Sequence, residues 1–126
     1  MANEAIVTTR APGAVGPYSQ GVKSGNFIFL SGQIGLDPAT SKLVDGGVEA
    51  QTKQIFKNIK AVLNEAGAGL PNIVKVTVFL KDMDDFKKVN EIYARHFEKP
   101  YPARSAVAVK ELPLSVDIEI EVIASL

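Results

Sequence analysis

Two charged residues near the C-terminus stand in runs that give them little structural purpose. Arg104 lies in Pro102-Ala103-Arg104-Ser105-Ala106-Val107-Ala108-Val109, and Glu119 in Asp117-Ile118-Glu119-Ile120-Glu121-Val122-Ile123-Ala124. Both runs alternate as strands do, placing Val107 with Val109 on one face and Ile118, Ile120 and Val122 together on another. If those bulky faces enter the core, Arg104 and Glu119 project from the opposite side. Arg104 then has only Ala106 and Ala108 as same-face neighbours, which leaves room for a small anion beside the guanidinium. An ion pair with Glu119, or with another acid at an interface, is the competing reading.

Other chemistries lack their residues. His96 is the only histidine, and no Gly-x-Ser-x-Gly elbow accompanies it, so it reads as a structural or surface helix residue. The chain has no cysteine, which excludes disulfides, thiolate zinc sites and cysteine nucleophiles. There is no His-x-x-x-His, no Asp-rich calcium loop and no Walker or dinucleotide fingerprint. Neither a metal nor a cofactor is expected. Tyr18, Ser31, Asn90 and Glu121 complete the short list. Tyr18 after Gly16-Pro17 also reads as a core-edge aromatic, and Ser31-Gly32 as a strand ending.

The elements that must position these residues follow from periodicity. Ala5–Thr9 reads as a first strand, Gly16-Pro17-Tyr18-Ser19-Gln20-Gly21 leads into a second extended segment, and Phe27–Gln33 is the clearest early strand, apolar enough for burial on both sides, with Gly25-Asn26 as a hairpin signal before it. Residues 36–43 read as a loop closed by Asp45-Gly46-Gly47. From Val48 the apolar spacing becomes helical through Thr52, Ile55, Phe56, Ile59, Val62, Leu63 and Ala66, with Gly67 as the C-terminal cap. Ile73–Leu80 alternates as an interior strand that sends Val74, Val76, Val78 and Leu80 to one face. Asp82 or Asp84 caps a second helix with the stripe Phe86, Val89, Tyr93 and Phe97, stopped by Pro100 and Pro102. Strands, helix, strand, helix, strands describe an α+β sandwich, with two helices on one face of a mixed sheet.

The other sheet face then carries Phe27, Phe29, Thr77, Phe79 and Ile123 around the two charged residues. Such a face is rarely left in water, so open faces packing in a homo-oligomer are expected, with ligand grooves between subunits.

The bulk numbers narrow the function classes. With 126 residues the chain, 1–126, is expected to form a single domain. Fourteen basic and fourteen acidic residues give a formal net charge of zero, with no basic track for nucleic acid or anionic lipid. The apolar stretches are strand-length and the N-terminus lacks a signal-like run, so a cytoplasmic, unanchored protein is expected.

Gly16-Pro17-Tyr18-Ser19-Gln20, Phe29-Leu30-Ser31-Gly32-Gln33, Val76–Asp82, Tyr101-Pro102-Ala103-Arg104-Ser105 and Ile118-Glu119-Ile120-Glu121 together resemble the RidA family, formerly called YjgF. These are reactive enamine/imine intermediate deaminases, and the resemblance spans nearly the whole chain in order and spacing. It implies a chorismate-mutase-like fold with a mixed six-stranded sheet, a homotrimer, and sites at subunit interfaces. It also implies hydrolysis of 2-aminoacrylate, 2-aminocrotonate and their imine tautomers, released by pyridoxal-phosphate dehydratases, to 2-oxo acids and ammonia, without cofactor or metal. By motif, Arg104 would hold the substrate carboxylate and Glu119 would position the attacking water and move its proton. Tyr18, Ser31, Gly32, Asn90 and Ala106 would line the pocket. Many family members carry cysteine where this chain has Ala106, so only a backbone role carries over there. A non-catalytic trimer that binds 2-oxo acids, and a single-strand RNA endonuclease, are the alternatives; zero net charge opposes the latter.

Overall fold

The computed structural model describes residues 2–126. A six-stranded sheet is built from β1 (Glu4–Ile6), β2 (Gly21–Ser24), β3 (Phe27–Leu30), β6 (Ile73–Leu80), β7 (Ala103–Ala108) and β8 (Ile118–Ser125), in the order β1-β2-β3-β8-β6-β7. Among the described residues β6 and β7 are the one parallel pair of neighbours, and they are joined through the helix α2 (Phe86–Ala94). The longer helix α1 (Gly47–Glu65) connects β3 to β6, with β8 inserted between those two strands. Two crossover connections of this kind place both helices on the same face. The mixed α+β arrangement expected from the sequence is thus present.

The core lies between that face and the helices. Ile28, Leu30, Val76, Val78, Leu80, Ile118, Ile120 and Val122 are buried against Ile55, Phe56, Ile59, Val62 and Leu63 of α1, with Val89, Tyr93 and Phe97 completing the layer. Helix α1 ends in a Schellman arrangement: Gly67 takes φ 81, its N–H donates to Asn64, and Ala68 N–H donates to Leu63. Gly25 takes φ 59 in the two-residue turn that joins β2 to β3.

Several details depart from the sequence reading. The first strand is only Glu4–Ile6, because the chain turns away toward Ala11. The predicted loop 36–43 contains a small hairpin of β4 (Leu36–Asp37) and β5 (Lys42–Leu43). A bulge between Ile73 and Lys75 reverses the alternation at the start of β6, so Ile73 is buried and Val74 exposed. Helix α2 stops at Ala94, well before Pro100, and Phe97 reaches the core from beyond its end. Asp82 caps the 3-10 turn that precedes α2 by accepting from the Asp84 N–H at 2.8 Å.

Strand β3 is not buried on both sides within the chain. Ile28 and Leu30 face the helices, whereas Phe27 and Phe29 are 48% and 43% exposed on the open face.

Candidate active site in two halves

Glu119 lies where the sequence placed it, on the open face of β8. Its register partner is Phe79, while Ile118 and Ile120 on either side point into the core. The carboxylate sits against Gly32, so closely that a Cβ at that position would overlap it. Gly32 follows the end of β3 and immediately precedes Gln33, which bridges to Ile120 by paired backbone hydrogen bonds of 2.8 and 3.0 Å. That bridge fixes the height of Gly32 beside Glu119. Desolvation raises the Glu119 carboxyl above its ordinary value, and the neighbouring charge of Glu121 adds to the effect.

Ser31 and Tyr18 belong to the same neighbourhood through the backbone. The Ser31 hydroxyl donates to the Ser19 carbonyl at 2.6 Å, and its N–H donates to Gln20 at 3.0 Å. The Ser31 hydroxyl is therefore occupied in holding the Tyr18-Ser19-Gln20 segment. Buried Gln20 fixes that segment further. Its Oε1 accepts from Thr8 N–H at 2.7 Å, and its Nε2 donates to the Pro12 carbonyl at 2.8 Å. The Tyr18 ring is left about half exposed rather than packed in the core.

Arg104 occupies the opposite face, contrary to the alternation reading. Its register partner on β6 is Val76, which is fully buried on the helix side; Ala106 and Ala108 pair with Val78 and Leu80 on that same side. Val107 points the other way and is 45% exposed. The inversion has a packing cause. β7 is the edge strand beneath α2, and small alanines there leave room for aromatic rings descending from the helix. The Arg104 guanidinium lies 4.6 Å from the centre of the Tyr93 ring and 5.2 Å from that of Phe86. Its Nη1 donates to Asn90 Oδ1 at 2.7 Å. Phe86, Asn90 and Tyr93 stand four and three residues apart, which puts them on one helix face. Phe86 and Tyr93 were legible only as core residues. The polar Asn90 between them, level with a strand arginine, is the signal that marks a second role.

Beside Arg104 a cleft of about 400 Å³ is lined by Asn90, Tyr93, Ala94, Tyr101 and Pro102. The Tyr93 hydroxyl is buried without a hydrogen-bond partner. Burial pushes its pKa up, an effect that the adjacent Arg104 charge partly offsets.

Arg104 and Glu119 therefore do not form an ion pair within one chain. Their partners on β6, Val76 and Phe79, are three positions apart, which means opposite faces and roughly 10 Å of separation along the strand. The expected site residues thus fall into two groups, Tyr18, Ser31, Gly32 and Glu119 around the end of β3, and Asn90, Arg104 and Ala106 beneath α2. His96 belongs to neither. It stacks on Phe56 at 4.1 Å and its Nδ1 donates to the Ile92 carbonyl at 2.9 Å, the packing role expected for it.

The family model for Endoribonuclease L-PSP matches residues 8–126. The chain belongs to the RidA (YjgF) family. Among its relatives, a RutC family protein of Pyrococcus abyssi is 55% identical over 98% of both chains. The human 2-iminobutanoate/2-iminopropanoate deaminase is 50% identical over 94% of this chain and 87% of its own length. Of solved structures, Escherichia coli TdcF with bound serine superposes with a TM-score of 0.92, at 43% identity and 98% coverage of both chains. No described helix is long and apolar enough to cross a membrane.

Proposed function

We propose that this RidA-family chain is an enamine/imine deaminase that hydrolyses 2-aminoacrylate, 2-aminocrotonate and their imine tautomers to 2-oxo acids and ammonia. Its working form is a homotrimer with its sites between subunits, in the cytoplasm, and it needs no metal or cofactor. The observation that carries this reading is the separation of Arg104 from Glu119. Arg104 is an exposed guanidinium whose hydrogen bond goes to a neutral amide, so its charge has no counter-ion among the described residues. A substrate carboxylate supplies the missing anion, in a charge-assisted contact worth about 1.5 to 3 kcal/mol. The resemblance to a human deaminase and to a serine-bound relative supports a small amino- or imino-acid ligand.

The reaction asks little of the protein. A protonated imine carbon is already electrophilic, so a held carboxylate and a placed water supply most of what is needed. Glu119 takes a proton as the water oxygen bonds to the imine carbon. It returns that proton to nitrogen as the carbon–nitrogen bond of the carbinolamine breaks, the hydroxyl proton passes to the departing nitrogen as the C=O forms, and the 2-oxo acid and ammonium are released. Burial raises its pKa, which makes Glu119 a better proton acceptor than an ordinary carboxylate. Tyr18, Gly32 and the Ala106 backbone line the cleft around these two.

The test generates 2-aminoacrylate with a serine dehydratase and follows its decay with wild-type protein, Arg104→Ala and Glu119→Gln. The proposal expects acceleration by wild type alone, and equal rates in all three contradict it. Carboxylate binding without acceleration would instead establish a 2-oxo-acid-binding protein. Ribonuclease activity finds no support in a chain of zero net charge.

A further inference from the structure

We infer that Asn90 is a positioning residue for Arg104, acting on a bound carboxylate through the guanidinium and not by its own contact. The inference rests on the reading of Arg104 as the carboxylate anchor. Three neighbours define the guanidinium. Tyr93 and Phe86 lie 4.6 and 5.2 Å from it and restrict the plane, and the Asn90 acceptor at 2.7 Å from Nη1 restricts rotation within that plane. Asn90 must present its oxygen here, because the amide NH₂ would set donor against donor.

With one Nη1 N–H engaged, the parallel N–H pair on the Nε and Nη2 edge is left without a hydrogen bond and open to a bidentate carboxylate. Arg104 is exposed on an edge strand, where an untethered side chain of this length samples many rotamers. Preorganisation by Asn90 thus strengthens binding without touching the ligand. An amide does this where an acid would not. A carboxylate in the same place would also accept from Nη1, but its charge would compete with the ligand for the same cation.

Four proteins test this: wild type, Asn90→Ala, Arg104→Lys and the double variant. The readouts are 2-oxobutyrate binding by calorimetry and steady-state imine hydrolysis. Asn90→Ala is expected to raise both Kd and KM about tenfold with kcat nearly unchanged, the pattern of lost uniform binding. Lysine has no fork to orient, so adding Asn90→Ala to Arg104→Lys is expected to change little further. Multiplying effects in the double variant would show that Asn90 meets the ligand directly, and an unchanged Kd in Asn90→Ala would remove its role. A readout independent of ligand is the nitrogen-15 NMR signal of the Arg104 side chain. Restricted guanidinium rotation in wild type, released in Asn90→Ala, supports the positioning even if 2-oxobutyrate fails to bind, in which case the anchor reading alone falls. Free rotation in wild type overturns the inference.

Discussion

Glycine at position 32 is a requirement of Glu119 more than of the backbone. A Cβ there would occupy the space of the carboxylate end, which is mobile enough to move aside. Gly32→Ala is therefore expected to displace the acid while leaving stability within about 0.5 kcal/mol of wild type, as for an exposed position. Imine hydrolysis measured beside urea unfolding checks this; full activity would show that the carboxylate does not need that place. Glu119 also predicts a pH dependence. With its folded-state pKa raised, the carboxyl favours the fold while protonated, and that contribution fades as pH climbs through the raised value. Glu119→Gln stays neutral throughout, so its melting temperature should gain on wild type as pH rises from the ordinary carboxyl range through the raised value. A gap that is constant with pH would contradict this.

At the scale of elements, the strands show what alternation can and cannot tell. β8 is an interior strand between β3 and β6, and Ile118, Ile120 and Val122 share its core face, so Glu119 was legible on the other. β7 is an edge strand, and there bulk misleads. The valine goes outward and the alanines inward, because Phe86 and Tyr93 of α2 supply the volume. Which face is inward depends on the size of side chains arriving from another element, information that the strand itself lacks. The bulge at Val74 escaped for a similar reason, since a single inserted residue leaves no local signature among valines and isoleucines. The end of α1 was legible because its chemistry is local. Gly67→Ala, which forces a Cβ onto φ 81, is expected to cost about 1 kcal/mol, measurable by urea denaturation. An unchanged midpoint would mean that the Schellman turn relaxes without penalty.

For the whole molecule, the open sheet face and the divided site lead to one proposal. Phe27, Phe29 and Val107 are each more than two-fifths exposed on the face that also carries Glu119. Association of chains would cover these rings and bring Glu119 of one subunit toward Arg104 of the next. Placing a charge in that face, as in Phe29→Glu, should yield a monomer by sedimentation velocity that is folded but inactive; a trimer of wild-type activity would move the interface elsewhere.

The central claim is that Arg104 and Glu119 act together from different chains, and co-assembly of two inactive variants tests it most directly. Arg104→Ala and Glu119→Gln subunits are mixed in equal amounts, unfolded and refolded together, and assayed for 2-aminoacrylate hydrolysis. In a cyclic trimer every mixed assembly regains one intact site, so random mixing predicts about a quarter of wild-type activity. Mixed trimers, verified by mass spectrometry, that remain as inactive as either parent would contradict the account.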